Sequence, residues 1–125
     1  MLYYLGEKGK YKKITMLPHG NDYDAWSKNL SEADLAKIYD AFDSIFGSKE
    51  VQTAGWIPGN DWTGTPYYPI YVACGNDKDK SGLFFGQIVF KYVMDKADHW
   101  GVGRFQVNGK DIKSLTYYKL SKEPV

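Results

Sequence analysis

Residues 82–96 read GLFFGQIVFKYVMDK, and this run limits the possible folds more than any other. Placed on a helix, Leu83, Phe84, Phe85, Ile88, Val89, Phe90, Tyr92, Val93 and Met94 point nearly all round the axis. A helix with no polar side must be covered on all sides. It is either central to the chain or shared with a second subunit. Ser81 is its expected N-cap, and Gly82–Lys96 its expected extent. Gly86 inside it costs roughly 1 kcal/mol against Ala, which suggests close approach of another backbone.

A second helix, 31–46, has one apolar stripe. Leu35, Ile38, Tyr39, Phe42, Ile45 and Phe46 recur at helical spacing, and Glu32, Lys37, Asp40 and Asp43 take the wet side. Ser31 is its cap, Leu30 and Leu35 form a hydrophobic staple, and Gly47 closes it. A third helix is expected over 66–74, with Thr65 capping and Pro66 at the first helical position. Leu2–Leu5 and Tyr11–Leu17 flank the turn-like GEKGK as an opening hairpin. Pro18–Asp22 breaks the chain, and Glu50–Ile57 reads as a short strand. Near the C-terminus, Asn108-Gly109 is a two-residue hairpin turn pairing Val107 with Lys110 and Phe105 with Ile112, and LTYYKL extends the returning strand. The tail 121–125 is expected to fray. The reading is α+β, a single compact domain over 1–125 in the order ββ-α-β-α-α-ββ, with a central apolar helix and a C-terminal β-hairpin. The chain begins with Met1 and its 125 residues are expected to be one complete domain, long enough for a core without staples.

A lone cysteine, Cys74, rules out an intrachain disulfide and reads as a small buried hydrophobe. No signal peptide or bilayer-length apolar run is read. The expectation is a cytoplasmic protein with no membrane contact. Net charge is +1 but uneven. Residues 1–20 hold four lysines against Glu7, or +3, and 100–125 hold Arg104 and four lysines against Asp111 and Glu123, again +3. Seven lysines against twelve acids leave 21–99 at −5. If the two ends meet they make one basic face; otherwise they are two solvated strand regions. Only one of sixteen basic residues is arginine, which argues against base-specific reading of DNA.

Gly-Asn-Asp occurs three times, at Gly20, Gly59 and Gly75. Each suits a turn, since Asn and Asp bond back to the backbone and Gly allows positive φ. In the second copy Asp61, Trp62, Thr63, Thr65, Tyr67 and Tyr68 make an aromatic-bearing loop leading into a helix start, a candidate ligand rim. The same rings could instead fill the core beneath the loop. The third copy runs into DKDKSG, which resembles the front half of a calcium loop with Asp77, Asp79 and Ser81 as ligands. Position twelve of that loop is Ile88 where a bidentate Glu belongs, so a polar connection is the competing reading.

The chain lacks zinc-ligand pairs, nucleotide-binding glycine loops and a nucleophile elbow, so no cofactor is expected. What stands out is 11 Tyr, 6 Phe and 4 Trp. Tyr and Trp anchor interfaces. The expected function is therefore a non-catalytic binding protein, such as an inhibitor, sequestering or accessory factor, acting on a protein partner or small ligand, with homo-oligomer formation through the apolar helix. One alternative is a winged-helix-like nucleic-acid binder using Lys12, Lys13, Arg104, Lys110 and Lys113, an analogy of element order. The other is a small enzyme using Asp61, Asp77 or His99 on polar loops.

Overall fold

The computed structural model describes residues 1–59 and 61–124. Its centre is the apolar helix, numbered α4 in chain order, Lys78–Met94. Phe84, Phe85, Ile88, Val89, Phe90, Tyr92 and Val93 are all buried by the rest of the chain. Of the nine apolar positions, Leu83 stays 64% exposed and Met94 half-buried. The helix starts four residues before the expected Gly82. Asp77, not Ser81, is the cap, its carboxylate accepting from the Lys80 N–H at 3.0 Å. Ser81 is buried in the first turns and donates to the Asp77 carbonyl. Two capping residues stand four apart, and Lys78, Asp79 and Lys80 between them are exposed. A Cβ on Gly86 would meet no atom within 4 Å, so the expected close backbone approach is absent there.

The other helices are α1 (Gly20–Ser27), α2 (Glu32–Phe46) and α3 (Tyr68–Ala73). In α2 the Ser31 hydroxyl accepts from the Asp34 N–H, and Ile38, Phe42 and Phe46 carry the buried stripe. Helix α1 replaces the expected break, so the first Gly-Asn-Asp is helical and not a turn. It contributes two rings, Tyr23 and Trp26, to the ring of Phe84 at 5.7 and 5.8 Å. Its entry is held by the Gln87 amide of α4, which donates to the carbonyls of Pro18 and His19. Helix α3 begins two residues later than expected, with Tyr67 at the cap position and Pro69 in the first turn. In the third Gly-Asn-Asp copy, Gly75 and Asn76 both take positive φ, as a turn requires. Asn60 of the second copy and Val125 of the tail lie outside the described residues.

Five strands form one sheet: β1 (Leu2–Leu5), β2 (Tyr11–Lys13), β3 (Val51–Thr53), β4 (Trp100–Gly103) and β7 (Thr116–Lys119). The order is β2-β1-β4-β7-β3, with β1 and β4 parallel and the other pairs antiparallel. Strand β4 was not foreseen, and the expected strand over 50–57 is three residues long before a 3-10 turn at Ala54–Trp56. The Asn108-Gly109 turn forms as expected, both residues at positive φ, and Val107 faces Lys110. It closes a separate two-stranded ribbon, β5 (Gln106–Val107) with β6 (Lys110–Asp111), outside the main sheet.

Residues directly opposite on neighbouring strands share a face. One face carries Leu2, Trp100, Val102 and Tyr117 into the helical core, where Phe46 meets Trp100 at 5.4 Å and Tyr117 at 6.1 Å. The opposite face carries Tyr3, Leu5, Tyr11, Lys13, Val51 and Tyr118. The molecule is therefore a single small α+β domain, with its helices packed on one face of the sheet. Among the described residues no helix is long and apolar enough to cross a membrane.

Candidate functional site

The loop after Gly59, helix α3 and the first turns of α4 enclose a cleft of about 570 Å³. Four of the six residues proposed as a ligand rim line it: Asp61, Trp62, Thr63 and Tyr68. The loop holds itself in shape. The Asp61 carboxylate accepts from the Thr63 N–H at 3.0 Å, and the Trp62 indole N–H donates to the Gly59 carbonyl at 3.1 Å. The Thr63 N–H holds the Asp61 carboxyl below its usual range, so this exposed group is anionic. Trp62 packs one side against Phe85 at 5.6 Å between centroids.

The other two rim candidates build the cleft without facing it. Thr65 donates to the Trp62 carbonyl at 2.7 Å and accepts from the Tyr67 N–H at 3.2 Å. Tyr67 is only 6% exposed, lying between Phe42 and Phe85 at 6.0 and 5.3 Å. That ring fills the core beneath the loop.

Tyr71, Lys78 and the edge of Ser81 also line the cleft, and were not assigned to it. Tyr71 was findable, since it follows Tyr68 by three residues on α3, one helical step on the same side. The two rings lie 6.0 Å apart, inclined at 33°. Lys78 gave no local signal, because only the packing of α3 on α4 brings it to the loop. The cleft thus presents three ring systems, a cation and an anion. Cys74 is buried nearby in sequence, and desolvation pushes its thiol up, away from the reactive thiolate.

The remaining candidates are distributed elsewhere. Asp77, Asp79 and Ser81 do not form a cation-wrapping loop: they occupy the cap and first turns of α4, and Ser81 is buried. Among the described residues no group of three or more His, Cys, Asp or Glu is placed to hold a metal. Asp61 and Asp77 sit towards the N-terminal end of α4, while His99 lies beyond its C-terminal end, a helix length of roughly 25 Å away. His99 meets the Tyr3 hydroxyl at 3.0 Å. Helix α4, the reading helix of the winged-helix analogy, turns Phe84, Phe85, Ile88, Val89, Phe90, Tyr92 and Val93 into the core and leaves Leu83 exposed and Gln87 and Lys91 half-buried. The two basic ends do meet: β1 and β2 lie beside β4 and β7 in one sheet. Lys12 and Lys13 are on the edge strand β2, and Arg104, Lys110 and Lys113 on and beside the ribbon. The chain matches no family model, no curated protein and no solved structure.

Proposed function

We propose that the protein is a non-catalytic binding protein whose cleft takes a small organic ligand with a flat ring. One observation carries the reading: Trp62, Tyr68 and Tyr71 converge from a loop and a helix on one cleft of ligand size. Rings present flat surface at low conformational cost. The Lys78 ammonium and the Asp61 carboxylate supply polar ends to orient a guest of mixed polarity. The loop's internal hydrogen bonds preorganise the rim, which lowers the cost of binding.

The test is native mass spectrometry of the chain purified gently from a cell extract. The expected result is a reproducible small added mass on 14.3 kDa. Tyr68 is 41% exposed, so Tyr68→Ala is expected to strip that mass while leaving stability within about 0.5 kcal/mol. Trp62→Ala is a poorer probe, since Trp62 also packs on Phe85. A retained second chain in place of a small mass would move the reading to a protein partner. A bare chain whose tryptophan fluorescence is unmoved by a screen of ring compounds would end it.

A further inference from the structure

The face of the sheet turned away from the helices carries its own set of rings. Tyr118 lies flat across Gly101, so close that a Cβ there would stand 2.3 Å from the ring. Its hydroxyl meets that of Tyr11 at 3.3 Å, and the edge of Phe105 packs on it at 6.0 Å and 83°. Phe105 is 44% exposed, and Trp56, at the end of the turn after β3, is 64% exposed. Trp56 lies off the sheet, in a turn that packs on α4, and flanks a cleft of about 400 Å³ shared with Lys110, Asp111, Ile112 and Lys113. None of these rings belongs to the helical core. Tyr11 and Tyr118 are half-buried, while Phe105 and Trp56 are exposed.

The charge beside them is predominantly positive. Residues 1–20 and 100–125, which supply β1, β2, β4, the ribbon and β7, hold nine basic residues against Glu7, Asp111 and Glu123. Lys13 is on the same face as Tyr3, its cross-strand neighbour. Lys110 and Lys113 border the Trp56 cleft. The described ion pairs use Lys91, Lys96 and Lys119, and none of Lys13, Lys110 and Lys113.

Rings in fixed position beside unneutralised cations are what an unpaired nucleic-acid strand needs, since its bases stack on rings and its phosphates require positive charge. We propose that this sheet face and the adjoining ribbon cleft bind single-stranded nucleic acid, with bases stacked on Tyr118, Phe105 and Trp56 and phosphates held by Lys13, Lys110 and Lys113. Charge complementarity selects this occupant over an apolar partner. A duplex fits poorly, because its bases are already stacked on one another and offer no face to the rings. With lysines in place of bidentate arginines the binding is sequence-tolerant.

The test is fluorescence anisotropy of the full chain with a labelled oligothymidylate of roughly 12 nucleotides, within the ~4–16 that such platforms cover. The comparison strands are an abasic strand of equal charge, a duplex of equal length, and poly-glutamate. The expected result is binding at low salt, about tenfold weaker for the abasic strand. The salt dependence should have a log–log slope of roughly −0.7 per phosphate engaged. Phe105→Ala should cost about tenfold, and Lys110→Ala with Lys113→Ala should weaken binding and flatten the slope, with melting temperatures unchanged. No binding at low salt overturns the assignment. So does equal affinity for the thymidylate and abasic strands, which with poly-glutamate binding would indicate an acidic protein partner instead.

Discussion

The two faces of the sheet use aromatic residues in opposite ways. On the helical face, Phe42 is fully buried and touches the rings of Tyr39, Phe46, Tyr67, Phe85 and Tyr92. Those rings form one continuous core with α4. On the other face Tyr118 touches both Tyr11 and Phe105, and none of the three belongs to that core. The same residue type is a structural filler in one place and a surface in the other. Helix cover is not the sole determinant, since Tyr3 on the outer face is also buried, packed against His99.

The largest expected effect tests that contrast directly. Phe42→Ala should cost about 3–5 kcal/mol, as deletion of a buried ring does. Phe105→Ala should cost less than about 1 kcal/mol, since much of the ring is already in water. Denaturant unfolding of both variants measures the difference, and equal costs would erase the distinction between the faces. Gly101→Ala comes next. Its methyl must displace the Tyr118 ring, at a cost of about 1–3 kcal/mol. Combining it with Tyr118→Ala should recover part of that loss, and strict additivity of the two would mean the ring does not rest on β4. The smallest effect lies on the helical side. Gly86 sits in a regular helix with room for a methyl, so Gly86→Ala should raise stability by up to about 1 kcal/mol. A destabilised Gly86→Ala would show that α4 is packed more tightly at this turn.

Much of the fold was legible because some signals are local. The stripe of α2, its Ser31 cap and the Asn108-Gly109 turn each follow from short-range physics, and each formed as expected. Helix α1 was not legible. Its Gly-Asn-Asp start reads as a turn, no residue of it is buried, and it forms where Tyr23 and Trp26 can reach Phe84. Strand β4 was missed for a related reason. Trp100-Gly101-Val102-Gly103 has weak strand propensity, and its glycines leave room for the Tyr118 and Phe105 rings. In the cleft, Asp61, Trp62, Thr63 and Tyr68 were visible as a polar aromatic loop. Tyr67 could not be separated from Tyr68 by sequence, because only the packing of α3 shows which of two adjacent rings turns inward.

By itself the sequence determined that most of α4 must be covered, by its own chain or by a second, that α2 shows one face to water, and that the chain is basic at its ends and acidic between them. Periodicity and charge are properties of the chain, and no fold can alter them. Only the tertiary structure decided that the two basic ends become neighbouring strands, that α4 is covered by its own chain, and which rings remain in contact with solvent. Those outcomes depend on contacts between residues far apart in sequence, such as the parallel pairing of Leu2–Tyr4 with Trp100–Val102, and no local pattern encodes them.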